Sequence, residues 1–291
     1  MTKTLNVLSD GMGQWGYGVV DPLLQITFPS VKIIHEENIA PDLVVMSHFI
    51  KEENKSFDCP YIMHSGESYR VKAPPDKPPP LCELNSFDCG DSASIYFPLL
   101  ALDSKSTRQA SLAYEKKYCC AFAFSNPVYE RESIFKALKA REATCYAFGS
   151  SCATPRPFEL TRNNRFLNVF AFKDFGFVVA MENMVKLGYI TEKIGMAFET
   201  CSVPIYDSRN GIDRFFNIES FFDVSLFQSS EAAAQTIVEV WNDKQKLQKY
   251  LDAPIRVNQN LAQYENLYSC NEVRSWMIPF VNNLKEAFPD I

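Results

Sequence analysis

The sequence predicts an α/β protein of two units, each a series of short buried strands alternating with helices. Three observations carry this. Apolar runs of strand length recur from the N-terminus, helix-start signals fall between them, and the pattern halts near residue 103 to restart near 118. Such alternation builds parallel sheets covered by helices. A chain of 291 residues is long enough for about two domains. The break places them at 1–106 and 107–291, and the helical tail of the second can pack back on the first.

In the first half, strands are predicted at residues 4–9, 31–35, 43–47, 61–64 and 95–100 from their apolar runs. A helix is predicted to start at Asp21-Pro22, a capping carboxylate followed by proline in the first turn. Residues 71–80 hold five prolines, which lack the backbone donor and fix φ, so this stretch reads as an extended surface loop. In the second half, strands are expected at 118–124, 143–148, 175–181 and 203–206, with helices at 129–140 and 191–199. Helical spacing dominates the end of the chain, at 232–241, 244–251 and 259–288. Open sheets of this kind bind ligands beyond the carboxyl ends of their strands, so the two halves are expected to face a cleft.

Composition narrows the function. Lys and Arg number 29 against 35 Asp and Glu, a net charge of −6, the wrong sign for a protein that grips nucleic-acid backbones. The longest apolar runs are strand-sized, well short of the roughly 18–20 residues needed to span a bilayer. The first ten residues turn polar too soon for a signal-peptide core. Nine scattered cysteines, an odd number, favour reduced thiols in a cytoplasmic compartment over an oxidised pair.

Gly11-Met-Gly13-Gln-Trp-Gly16 is a formal dinucleotide fingerprint after the first strand, with Glu36 near the end of the second. In that motif the glycines open a helix whose N-terminus faces the pyrophosphate. Here the start signal Asp21 lies five residues beyond Gly16, so a flexible loop is expected and a NAD-dependent oxidoreductase is the minor alternative. Metal chemistry is poorly supplied: His35, His48 and His64 lie in separate elements, and neither CxxC nor Asp-x-Asp occurs. A leaving phosphate would have to be met by side-chain cations and backbone donors.

Two clusters offer such groups. Ser125-Asn126-Pro127 follows a buried strand and leads into a helix with Arg131 in its first turn. A cation there opposes the helix dipole, unless an anion lies between them; the plain alternative is a solvated Arg paired with Glu130 or Glu132. Further on, a hydrophobic strand ends in Glu182-Asn183, a loop follows through Gly188-Tyr189, and a helix opens with Thr191-Glu192-Lys193. Thr191 can cap that helix, Glu192 can accept sugar hydroxyls, and Lys193 can reach a phosphate; the plain alternative is a capped amphipathic helix with solvated charges.

In order and spacing, Ser125-Asn126-Pro127 with Arg131, Glu182-Asn183 with Tyr189-Ile-Thr-Glu192-Lys193, Val203-Pro204-Ile205 and Ser220-Phe-Phe-Asp-Val224 resemble the α-1,3/4-fucosyltransferase family from about residue 118 to 224. The resemblance implies a GT-B fold of two Rossmann-like domains, the C-terminal one holding GDP-fucose. It implies that Arg131 and Lys193 contact the pyrophosphate, that Asn183, Tyr189 and Glu192 line the donor pocket together with Ser125, Asn126, Glu182 and Thr191, and that no metal or other cofactor is required. The family inverts the anomeric centre and needs a base from the N-terminal half. The strand at 61–64 runs into Gly66-Glu67 and resembles the family strand that ends in the catalytic carboxylate, which makes Glu67 the base, ahead of Glu36 and His64. The expected activity is transfer of L-fucose from GDP-β-L-fucose to a hydroxyl of a glycan acceptor. The alternatives are a transferase of the same fold using another nucleotide sugar, and an inactive nucleotide- or glycan-binding protein.

Overall fold

A computed structural model describes residues 3–10, 14–48, 57–90, 94–96, 116–124, 128–148, 154, 171–257 and 271–291. The elements are β1 (Thr4–Asp10), α1 (Gln14–Thr27), β2 (Lys32–Ile34), β3 (Leu43–Met46), β4 (Tyr61–Ser65), β5 (Cys82–Asn85), β6 (Ser94–Tyr96), β7 (Tyr118–Phe122), α2 (Tyr129–Lys139), β8 (Cys145–Ala147) and β9 (Phe175–Val179). They continue with α3 (Lys193–Glu199), β10 (Val203–Tyr206), β11 (Phe222–Asp223), α4 (Ser230–Asn242), α5 (Lys244–Asp252) and α6 (Asn271–Ala287). The chain divides into two compact units, residues 1–99 with 267–291, and residues 100–266.

The first unit is a six-stranded sheet in the order β2-β1-β3-β4-β5-β6, with every pairing parallel. Its inner strands are buried on both faces, as in β3 and β4, where every residue is inaccessible; parallel sheets covered on both sides require such continuous apolar runs. Helix α6 belongs to this unit. Phe288, just beyond it, meets Phe28 edge-on at 6.3 Å, and Asn283 Nδ2 donates to the Leu81 carbonyl at 2.7 Å.

Helix α1 departs from the sequence-based expectation. It begins at Gln14, directly after Gly13, takes in Gly16 and Gly18, and carries Pro22 in its interior. Proline removes one backbone bond and crowds the carbonyl four residues earlier, which belongs to Gly18. Val20, Leu23 and Leu24 are buried on both sides of that break, so packing against β1 and β2 carries the helix through it. Gly13 therefore does precede a helix, and loop placement is no argument against a dinucleotide; residues 11–13 themselves lie outside the described residues. The stretch 71–80 forms no strand or helix, as its prolines require.

The second unit is a five-stranded parallel sheet ordered β11-β10-β9-β7-β8. Chain order reverses between β7 and β9, paired as Cys120 with Phe177 and Phe122 with Val179. Ligands of doubly wound sheets bind at the carboxyl ends of strands beside such a reversal. The core joins Phe122, Phe177, Val203, Ile205 and Phe222 from the strands to Ile134, Leu138, Ala234 and Ile237 from α2 and α4. Cys82 of β5, Cys119 and Cys120 of β7 and Cys145 of β8 are buried thiols, while Cys59 and Cys89 are half-buried thiols. Burial pushes the Cys82 thiol up to about 12 and the Cys120 thiol well above its ordinary value.

Gly176, inside β9, faces the ring of Trp241, and a Cβ built there would lie 2.5 Å from that ring. Nothing larger than hydrogen fits unless α4 shifts. Gly176→Ala is expected to destabilise the second unit by about 1–3 kcal/mol, the usual cost of overpacking, read as a lower denaturant midpoint at unchanged slope.

Candidate functional site

The second-unit site is built on the reversal point. Helix α2 buries Ile134, Phe135 and Leu138, and Arg131 occupies the same stripe one turn earlier, at the i, i+3, i+4, i+7 spacing. Its side chain is consequently inside, 1% exposed, and is no solvated partner of Glu130. Arg131 Nη2 donates to the Met181 carbonyl and, at 3.1 Å, to Asn183 Oδ1. Its guanidinium stacks over Phe124 at 5.1 Å. Nε and Nη1 are buried and have no hydrogen-bond partner among the described residues. Burial lowers the Arg131 pKa, opposed by Glu182, Tyr189 and Glu130; guanidinium stays charged nonetheless.

From the other side comes Lys193, with 27% of its side chain exposed. Its Nζ donates to Glu182 Oε2 at 2.8 Å and to Thr191 Oγ1 at 2.9 Å. Glu182 is 7% exposed and also accepts from Thr191 N at 2.7 Å, from Thr191 Oγ1 at 2.9 Å and from the Tyr206 hydroxyl at 3.3 Å. Thr191 therefore does not cap α3. Its hydroxyl faces a buried carboxylate, a stronger acceptor, and Glu192 stands at the N-cap without a side-chain cap bond. Helix α3 has seven residues, so Lys193 acts through its own charge and not through a helix end.

Arg131, Asn183, Glu182, Thr191 and Lys193 are thus brought together around residues 181–183, just after β9. Tyr189 is buried nearby, its carbonyl accepting from Asn210 Nδ2 at 2.8 Å. Glu192 is half-buried at the start of α3. Ser125 and Asn126 lie outside the described residues. A cavity of about 330 Å³, within the size range of small-ligand sites, is lined by Glu130, Asn183, Met184, Asp207, Arg209 and Asn210. A larger open cavity of about 1000 Å³, between Phe221–Phe227 and α5, contains none of the predicted site residues. Tyr206 and Asn210 escaped the sequence reading; the one local signal was a phenol at the end of a buried apolar strand.

In the first unit, Glu67 is half-buried two residues beyond β4. Ser65 shapes this turn: its Oγ donates to the Tyr69 carbonyl at 2.5 Å and accepts from Glu67 N at 3.3 Å. His48 Nε2 lies 2.9 Å from the same oxygen. Burial lowers the His48 pKa, and the neighbouring Glu67 carboxylate partly restores it.

The other candidate bases are poorly placed. Glu36 is exposed, its backbone tied to the Asn6 side chain at 2.9 and 3.1 Å. His64 is 3% exposed, neither ring nitrogen has a partner among the described residues, and burial pushes its pKa down to about 4, far from a working base near neutral pH. Among the described residues, no three of His, Cys, Asp and Glu are grouped to hold a metal ion. No described helix is long and apolar enough to cross a membrane.

Comparison with known proteins decides the family. The model of the C-terminal region of glycosyltransferase family 10 (fucosyltransferase) matches residues 113–281, more than half of the chain. The chain belongs to glycosyltransferase family 10. This family 10 chain is 28% identical to the Helicobacter pylori α-(1,3)-fucosyltransferase FucT over 123 residues, which span 42% of this chain and 24% of that protein. A crystal structure of an α1,3-fucosyltransferase with GDP-fucose is similar at a TM-score of 0.65 and 18% identity, over 98% of this chain and 92% of that one. One with GDP is similar at 0.62 and 15%, over 96% and 91%. These likenesses give the family 10 chain the α/β, GT-B type of fold that its two parallel sheets display.

His64 has a measurable consequence. Its folded pKa lies below the unfolded value of about 6.5, so the unfolded state binds the extra proton. The associated stability is complete above pH 6.5 and is lost as pH falls toward 4, amounting to about 3 kcal/mol. Denaturant midpoints measured from pH 7 to 4 should fall less steeply for His64→Leu than for the unmodified protein.

Proposed function

We propose that the chain is an inverting transferase that moves L-fucose from GDP-β-L-fucose to a hydroxyl of a glycan acceptor, without a metal ion or other cofactor. One observation carries the reading: a guanidinium and an ammonium from different helices are fixed against the same three residues, 181–183, at the strand-order reversal of the second sheet. That arrangement suits a diphosphate. The relatives named as α1,3-fucosyltransferases, one solved with GDP-fucose and one with GDP, support the choice of donor.

In this reading the second unit binds the donor and the first supplies the acceptor side. The acceptor oxygen attacks the anomeric carbon as the bond to GDP breaks, and its proton passes to Glu67. The electron pair leaves with GDP. Arg131 and Lys193 stabilise the growing charge; fixed cations in a dry site need no reorganisation as it develops. Nε and Nη1 of Arg131, without a partner among the described residues, support its assignment to a diphosphate oxygen. Asn183, Tyr189 and Glu192 are assigned to the donor pocket. A reducing, cytoplasmic setting is part of the proposal, supported by the odd number and scattered positions of the nine cysteines.

Calorimetry with GDP tests the donor site. Lys193→Ala is expected to weaken GDP binding about tenfold or more, the loss of a charge-assisted contact, and Arg131→Met to do the same. Glu67→Gln is expected to keep GDP affinity while lowering turnover by about 10²–10⁴-fold, the contribution of a general base. Normal transfer by Glu67→Gln would remove that assignment, and an unmodified protein that binds NAD but not GDP would overturn the function.

A further inference from the structure

Lysine is a flexible, strongly hydrated point charge, so a Lys193 that meets a diphosphate has to be held in place. Two of its three ammonium hydrogens are taken up by Glu182 Oε2 and Thr191 Oγ1, at 2.8 and 2.9 Å. The tetrahedral ammonium then has one direction left for its third hydrogen. That direction is only as fixed as the Glu182 carboxylate.

The carboxylate is steadied from behind. Tyr206 OH lies 3.3 Å from Glu182 Oε1, and Asn210 Nδ2 lies 2.7 Å from Tyr206 OH. The polarity of this chain is determined by chemistry. Asn210 Nδ2 also faces the Tyr189 carbonyl at 2.8 Å, where an amide oxygen would be repelled, so it donates to both groups. Tyr206 must then direct its single hydrogen to Glu182. Burial and the nearby Glu182 charge raise the Tyr206 pKa well above its ordinary value, so the hydrogen stays on the phenol. Tyr206 and Asn210 are both buried. The Asn210 backbone carbonyl also holds the turn that leads to Tyr189, accepting from Gly188 N at 2.7 Å.

We propose that Tyr206 and Asn210 are positioning residues for Lys193, acting through Glu182, which serves as the ammonium's anchor and not as a ligand for the sugar. The inference rests on the reading above that Lys193 meets the donor diphosphate. Fixed orientation of this kind is how remote residues contribute to catalysis.

The test is a double-mutant cycle with GDP and guanosine as calorimetric probes. Tyr206→Phe is expected to weaken GDP binding about tenfold, the loss expected when a hydrogen bond to a charged group is removed, and to leave guanosine affinity unchanged. In a Lys193→Met background the same change should have no further effect on GDP, because coupled residues are non-additive. If Tyr206→Phe does not fold, Glu182→Gln, which keeps the shape and severs the anchor, carries the same expectations. Losses that multiply across the cycle, or a fall in guanosine affinity in step with GDP, overturn the inference. Failure of the unmodified protein to bind GDP overturns the functional reading itself, whereas GDP binding with independent losses overturns only the relay.

Discussion

A buried carboxylate just beyond the end of a core strand has to be met by donors or brought out to water. Glu182 is met from three sides: by the backbone and hydroxyl of Thr191, by Lys193, and by Tyr206. Much of the second unit follows from this. Residues 184–190 must loop out and return so that Thr191 can reach Glu182, which fixes the start of α3. Met184, Val185 and Leu187 are left on the outside of that loop. Removing one member of a buried pair of this kind typically costs about 3–5 kcal/mol, because the other charge stays behind.

Arg131 and Glu182 are complementary solutions to one problem. Placed on the inner stripe of α2, Arg131 brings a permanent charge into the core, and Glu182 is the first of the carboxylates that favour it there. The two cations are set against Glu182 and Glu130, so the group carries no negative excess although the whole chain is acidic. Local arrangement, more than overall charge, sets what this end of the sheet attracts. Both units share the strand order in which the second strand flanks the first and the third lies on its other side, so each has a reversal point, and in the second unit it coincides with the cluster.

What the sequence made legible was what repeats or punctuates. The strand at 203–206 and the helix starting at 129 were readable because a continuous apolar run and a 3.6-residue stripe are local signals. The start of α1 was not: Pro22 is a strong helix-start signal, and burial of Val20, Leu23 and Leu24 overrode it. Strand β5 was hidden too, because Cys-Glu-Leu-Asn alternates over only four residues, holds no β-branched residue and follows a proline-rich stretch. At the site, the spacing of Arg131 to Ile134, Phe135 and Leu138 already contained the answer to whether it is solvated. The opposite holds for Tyr206 and Asn210. Their meeting with Glu182 depends on which strand neighbours β9, a fact of sheet order and not of any window along the chain.

The placement of the buried thiols gives the protein a chemical record of its own opening. Cys82 lies in the sheet of one unit and Cys119, Cys120 and Cys145 in that of the other. An alkylating reagent needs both access and a thiolate; burial withholds access at all four positions and also disfavours the thiolate at Cys82 and Cys120. A timed pulse of such a reagent, followed by mass analysis of the peptides, would label each sheet only when it comes apart. The two halves would thereby report their separate lifetimes from a single sample.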